Sequence, residues 1–118
     1  MVALGGDTAG LFCNSNTLAK DLEASSKAMF EPVWRLPIME EHHDAMKGKF
    51  SDLNNKGNTP YGGASQAAAF LSKFVDEGVD WAHLDIAGPG MRAAAKPPVN
   101  ADGTGFGTSL LLHYLCNK

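Results

Sequence analysis

The chain has 118 residues, of which 44% are hydrophobic and 19% are charged, and ten basic against thirteen acidic residues give a net charge of −3. This composition is typical of one globular domain with its own core, which requires no metal or disulfide to fold. There is no basic cluster, which argues against nucleic-acid partners. Cys13 and Cys116 lie near opposite ends without a paired spacing, which indicates buried or free thiols in a reducing compartment.

The amino-terminal segment gives no sign of export or membrane insertion. MVALGGDTAG lacks the basic start of a signal peptide, and no stretch approaches the roughly 20 apolar residues of a membrane span. We therefore expect no membrane partner. Residues 1–4 have the character of the second half of a buried strand, which suggests that the chain is part of a longer protein.

The first half of the chain predicts two helices separated by a short apolar segment. Asn-Ser-Asn at residues 14–16 provides good N-cap residues, and a helical stretch continues to about Met29, with Leu18, Leu22 and Met29 on the same face. Residues 33–36 form the apolar segment, and Pro37 can occupy the first turn of the next helix. The inward-facing residues of that second helix are expected to be Ile38, Met39, His42, Ala45 and Met46.

The second half predicts a helix, a strand and a final helix. Residues 50–54 are a candidate short strand, and residues 55–63 are a loop rich in Asn, Gly and Pro. Helical spacing then continues until Gly78, with these residues facing inwards: Ala64, Ala67, Ala68, Leu71, Phe74 and Val75. Residues 79–87 form the clearest strand, residues 88–104 a loop with three prolines, and residues 106–116 the last helix. This alternation predicts an α/β fold in which helices flank a mainly parallel or mixed sheet.

Two segments resemble ligand sites, one for a metal ion and one for a phosphate group. In EEHHD, residues 40–44, Glu40 shares a helical face with His43 and Asp44, but adjacent histidines cannot both bind one metal in that way, and a solvated acidic helix start is the simpler interpretation. In DGTGFGTSLL, residues 102–111, three glycines precede a helix, but the dinucleotide fingerprint would need glycine at Thr108 and a strand just before it. Close backbone packing at a helix start is the preferred interpretation there.

The strand segment WAHLDIAGPGMR, residues 81–92, carries His83 and Asp85 on one face. They could be a catalytic dyad or a structural pair. The structural role is preferred, because unpaired buried charges are costly and no Ser or Cys lies in a nucleophile-elbow context. The small residues that follow the strand leave room for a ligand at its carboxyl end.

Four segments together resemble the carboxyl-terminal part of the leucyl aminopeptidases, which are dinuclear-metal exopeptidases. The segments, in chain order, are ALGGDTAGLFCN (3–14), VWRLPIMEEH (33–42), FSDLNNKGNTPYGGASQAAAFLSKFV (50–75), and WAHLDIAGP with GTGFG (81–89 and 103–107). The resemblance implies that residues 1–118 are the carboxyl-terminal portion of a catalytic domain and a partial copy of its three-layer α/β fold.

The resemblance also implies where the chemistry lies. The family removes N-terminal residues, leucine-type, from peptides by two-metal hydrolysis with Mn or Zn, and it forms hexamers in the cytoplasm. Its metal ligands belong to motifs such as NTDAEGR, which this chain lacks. We therefore expect the ligands upstream of residue 1, no catalytic residue or bound metal in this chain, and a chain that is inactive alone but supplies the substrate pocket and oligomer scaffold.

The resemblance assigns four residues to the substrate pocket and a bracing role to two others. Ala87 matches the family's pocket alanine, and a second pocket residue corresponds to Gly90 or Met91. Lys56 stands at a pocket-wall position that is usually isoleucine; it either extends to solvent or shifts preference towards polar or acidic N-terminal residues. His83 and Asp85 are expected to brace the end of the strand.

Two other classes of function remain open from the residues alone. The chain could be a naturally short, non-enzymatic interaction or scaffold domain derived from the same fold. It could also be a metal-binding module built on residues 40–44. Coding sequence upstream of Met1 would distinguish the scaffold domain from an aminopeptidase fragment. Retention of zinc by this chain would test the metal-binding module.

Overall fold

The computed structural model describes all residues, 1–118, as a small mixed sheet with helices packed against it. The five strands are β1 (Ala9–Cys13), β2 (Val33–Arg35), β3 (Ala82–Asp85), β4 (Met91–Arg92) and β5 (Asp102–Gly103). The four helices are α1 (Asn16–Met29), α2 (Glu40–Ala45), α3 (Gly63–Ser72) and α4 (Thr108–Cys116). No helix is long and apolar enough to cross a membrane.

The central sheet has the order β2-β1-β3, with β1 parallel to β2 and antiparallel to β3. The α/β class and the mixed sheet are therefore confirmed, whereas a mainly parallel sheet is not what forms. Residues Ala9 to Phe12 of β1 are all buried, since this strand has a neighbour on each side and packed layers on both faces. Gly10 pairs with Asp85, so the start of β1 lies beside the end of β3.

The core lies between β1 and two helices. Leu11, Ala19, Leu22 and Leu110 form a buried cluster that joins the sheet to α1 and α4. Ser15 caps α1 by accepting a hydrogen bond from the Leu18 N–H, as the N-cap pattern predicted. Ser26 then links the end of α1 to β2, because its hydroxyl donates to Glu31 O (2.7 Å) and accepts from Val33 N–H (3.2 Å).

Two predicted strands do not form. Residues 2–4 form a turn, and Val2 is fully exposed, since no neighbouring strand is present to pair with them. Residues 50–54 contribute only an isolated bridge between Leu53 and Lys47, and Phe50 is 96% exposed. A short apolar run needs a partner strand before it becomes part of a sheet.

Helix α3 buries a different face from the one that its alanines predict. Ala68 and Ala69 are fully buried, but Ala67 is exposed. The helix ends at Ser72 and does not continue to Gly78, and Phe74, beyond its end, is 71% exposed. Two polar residues account for this rotation. Ser65 donates its hydroxyl to Pro37 O (2.7 Å), and Gln66 Nε2 donates to Tyr61 O (2.7 Å). These buried bonds satisfy loop carbonyls, so the polar side chains point inwards in place of part of the apolar stripe.

Candidate functional site

The carboxyl end of β3 is built as a tight backbone turn. Asp85 Oδ1 accepts a hydrogen bond from the Ala87 N–H (3.0 Å), and the Gly90 N–H donates to Ile86 O (2.8 Å). Gly88 is buried where an added Cβ would lie 2.6 Å from Gly5 O, so no side chain fits. The turn therefore depends on the Asp85 carboxylate and on a glycine at 88.

His83 and Asp85 share one face of β3 but do not hydrogen-bond to each other. The His83 ring stacks on Trp81, with centroids 6.4 Å apart and an interplanar angle of 9°, and lies 5.8 Å from the Phe12 ring. Burial lowers the pKa of His83, and the negative charge of Asp85 opposes this only in part. Each residue has its own structural contact, and their joint role in bracing the strand end stays a prediction.

A cavity of about 540 Å³, here called the sheet-end cavity, lies beside this turn. The start of β1, the end of β3 and the start of α3 meet there at one end of the sheet. Residues 1–4 form part of the cavity wall. Asp85 has the one charged side chain in its lining, and most of the other lining residues are apolar or small, including Gly10, Leu36 and Ala64. An open, largely apolar space with one carboxylate suits an apolar group that carries a positive charge.

The residues assigned to the substrate pocket lie outside this cavity in the chain as it stands. Ala87 and Met91 are exposed and Gly90 is half-buried on the turn after β3, whereas Lys56 is exposed on the loop before α3. The turn brings the first three together through the local chain. Their assembly with Lys56 into one pocket stays a prediction.

Sequence reasoning missed an ionic cluster next to the same turn. Asp7 accepts hydrogen bonds from Arg92 and from Lys96 Nζ (3.4 Å), and both cations lower the pKa of Asp7. The only signal in the sequence was the opposite charge of Asp7 on one side and of Arg92 and Lys96 on the other. Charges so far apart in sequence do not by themselves indicate contact.

The EEHHD segment does not form a metal site. Asp44 pairs with Lys47 (2.5 Å), and His42 Nδ1 accepts from the Met39 N–H (2.9 Å). His43 Nδ1 is buried without a hydrogen-bond partner. Nowhere in the chain do three or more His, Cys, Asp or Glu side chains form a group that could hold a metal ion. The side chains present therefore do not fit the dinuclear metal centre that the resemblance implies for the longer protein.

The expectation of close backbone packing in the glycine-rich segment before α4 is wrong, because a Cβ added at Gly103, Gly105 or Gly107 would meet nothing within 4 Å. Gly105 and Gly107 instead have positive φ angles, which favour glycine. Gly107 caps the helix at a φ of 93°, without a side-chain hydrogen bond. The Leu110 N–H donates instead to Glu31 Oε2 (2.8 Å), so a carboxylate already occupies the first turn of α4. A phosphate at this helix start would be repelled by Glu31.

Comparisons with known proteins give one consistent result. A probable cytosol aminopeptidase of Methylobacterium radiotolerans is 43% identical over 94% of this chain and 22% of its own length. A neutral, chloroplastic leucine aminopeptidase of Solanum lycopersicum is 43% identical over 98% of this chain and 19% of its own length. The bottromycin maturation enzyme BotP, solved in complex with Mn, superposes with a TM-score of 0.91 at 36% identity, covering 97% of this chain and 25% of that one.

The chain therefore spans about a fifth of the length of these relatives. The model of the cytosol aminopeptidase family, catalytic domain, matches residues 1–112. This match covers nearly the whole chain, including the turn after β3 and the ionic cluster beside it. The chain belongs to the cytosol aminopeptidase family.

Proposed function

We propose that this chain is the carboxyl-terminal, pocket-forming portion of an aminopeptidase catalytic domain. In the longer protein it supplies one wall of the site for the substrate's N-terminal side chain and part of the scaffold. The observation that carries the proposal is the turn after β3, fixed by Asp85 and Gly88 at the sheet edge where the sheet-end cavity opens. Family membership supplies the reaction class, the hydrolytic removal of N-terminal residues from peptides.

The metal chemistry is assigned to the part of the longer protein outside this chain. Two divalent ions, Mn or Zn, would polarise the scissile carbonyl and activate water there. The manganese complex of BotP supports the choice of metal. The side chains here contribute shape and position only, so the isolated chain is expected to bind no catalytic metal and to be inactive. A cytoplasmic location and a hexamer are part of the same proposal.

Specificity for the N-terminal residue is assigned to Ala87, Gly90, Met91 and Lys56. Ala87 and Gly90 add little bulk, so they leave room for a side chain of leucine size. An ammonium at position 56 is costly to desolvate beside an apolar side chain, and Lys56 is exposed on its loop. We expect it either to extend to solvent or to favour polar or acidic N-terminal residues.

A substrate comparison tests the Lys56 assignment. The full-length protein, read from the frame that contains this chain, would be assayed on leucyl and aspartyl amides with Lys56 and with Lys56→Ile. We expect Lys56→Ile to raise the leucine-to-aspartate ratio of kcat/KM about tenfold. Lys73→Ile, another exposed lysine that lies at the end of α3, is the matched control. Identical ratios for all three proteins would remove Lys56 from the pocket.

Sequence upstream of Met1 separates this proposal from a non-enzymatic scaffold domain. An NTDAEGR-type motif in frame supports an aminopeptidase, and a stop codon directly before Met1 supports the short scaffold domain. The two outcomes are mutually exclusive.

A further inference from the structure

The ionic cluster at Asp7 joins two segments that are remote in sequence. Arg92 and Lys96 both bind the Asp7 carboxylate, across 85 and 89 positions. The Arg92 side chain is only 22% exposed, whereas Asp7 and Lys96 are more than half exposed. A partly buried ion pair is screened less by salt than an exposed one, so the Arg92 pair is the stronger link.

Backbone packing holds the same two segments together. The position that a Cβ would take on Gly88 is 2.6 Å from Gly5 O and 3.3 Å from Gly6 Cα. The segment before β1 therefore rests directly on the turn after β3. The Asp7 pair and the Gly88 contact are independent observations of one junction.

The opposite side of the turn after β3, which comprises residues 86–92 and is here called the 86–92 turn, is held by Thr104. Its hydroxyl donates to Pro89 O (2.6 Å), and its backbone N–H donates to Gly90 O (3.1 Å). Strands β4 and β5 pair next to these bonds, with Met91 opposite Gly103. The turn is thus held from two sides, and the Asp7 side is the one that depends on charge.

A cavity of about 340 Å³ lies behind the turn and is lined by Pro89, Arg92, Lys96 and Thr104, among others. Asp7 is the only carboxylate paired with Arg92, and the Arg92 Nε is buried without a partner. A mostly buried guanidinium that loses its carboxylate has a strong tendency to move towards water. The cavity offers space into which the turn can move together with the Arg92 side chain.

We propose that Asp7, Arg92 and Lys96 form a latch that sets the position of the 86–92 turn, which makes them positioning residues for the substrate pocket. The pocket part of this inference rests on the proposed function, because Ala87, Gly90 and Met91 are its assigned wall. None of the three latch residues touches the reacting atoms. They act through the turn that they hold.

Hydrogen exchange on the 118-residue chain tests the latch without any activity. The Gly90 and Thr104 amide protons report the turn, since the Gly90 N–H donates to Ile86 O within it and the Thr104 N–H donates to Gly90 O. We expect Asp7→Asn and Arg92→Gln each to speed these exchanges about fivefold, and the double variant to add little more. Asp21→Asn, which breaks the distant pair with Lys118, is the matched control and is expected to change neither rate.

The charge-swapped variant, Asp7→Arg with Arg92→Asp, and the conservative Arg92→Lys guard against simple misfolding. Both are expected to bring the exchange rates back to within about twofold of wild type, because the opposite charges are kept. Wild-type rates in Asp7→Asn and in Arg92→Gln would overturn the latch.

Kinetics of the full-length protein test the positioning role. We expect Asp7→Asn to raise KM for a leucyl amide about threefold while kcat stays within about twofold, since the reacting groups lie elsewhere. Faster exchange with an unchanged KM would overturn the positioning role. A wild-type full-length protein without turnover would refute the proposed function, while the exchange result would still decide the latch.

Discussion

Glu31 caps a helix that begins 77 residues later in the chain, and its removal is expected to destabilise the fold. Its Oε2 accepts the N–H of Leu110 (2.8 Å), which lies in the first turn of α4, while the helix N-cap, Gly107, offers no side chain. Leu110 itself is 0% exposed. Glu31 therefore does for α4 what a Ser or Asp N-cap does for most helices.

The expected magnitude follows from what each variant leaves behind. Glu31→Ala leaves the Leu110 N–H without a partner in the core, which costs about 1–3 kcal/mol. It also removes a negative charge from a helix N-terminus, which adds about 0.3–1 kcal/mol. We expect a loss of about 2–3 kcal/mol for Glu31→Ala. Glu31→Gln keeps an oxygen acceptor and loses the charge, so its cost should be about 1 kcal/mol.

Urea unfolding, followed by circular dichroism and by tryptophan fluorescence, measures these losses. Coincident transitions from the two signals would justify a two-state fit. Glu77→Ala is the control, because Glu77 is exposed and forms no ion pair. A Glu31→Ala variant within about 0.5 kcal/mol of wild type would refute the capping role, as would equal losses for the Ala and Gln variants.

Three further predictions concern the core and the titrating groups. Leu11→Ala should lower the free energy of unfolding by about 3 kcal/mol in the same urea assay, because Leu11 is fully buried in the cluster beneath α1 and α4; a loss below about 1 kcal/mol would contradict this packing. Burial lowers the pKa of His83, so the unfolded chain takes up this proton first and stability should fall as the pH drops below about 6.5; an NMR titration of the His83 ring with a midpoint above 6.5 would contradict it. Arg92 and Lys96 lower the pKa of Asp7, so its stabilising effect is present above the ordinary carboxyl range and is lost as the pH falls through the lowered value; Asp7→Asn and wild type should differ at pH 7 and converge at low pH, and a constant difference would refute this assignment.

Local patterns predicted the elements whose neighbours did not matter. Helix α1 begins directly after Ser15 and ends at Met29, because its cap and its spacing are properties of the segment itself. The apolar alternation around Leu84 predicted β3, although the paired strand is shorter, Ala82–Asp85. Whether two strands run parallel or antiparallel depends on how remote segments pair. The antiparallel pairing of β1 with β3 therefore has no local signal in the sequence.

In the candidate site, too, the sequence predicted local features and missed contacts between remote residues. The run from His83 to Gly90 identified the end of the strand, because small residues after an apolar strand indicate a crevice. The Asp7 latch and the Glu31 cap each join residues far apart in sequence, and single charges in a mixed composition do not reveal such partners. For α3, the buried Ser65 and Gln66 showed that hydrogen bonds to loop carbonyls can rotate a helix away from its most apolar face.

The central claim is that this chain carries the wall of the pocket and not the reacting groups. Hydrolysis of a leucyl amide reporter by the purified 118-residue chain, with added Mn²⁺ or Zn²⁺ and beside the full-length protein, tests it most directly. We predict turnover by the full-length protein alone. Metal-dependent cleavage by the 118-residue chain would contradict the claim, and EEHHD together with His83 and Asp85 would then be the first residues to mutate.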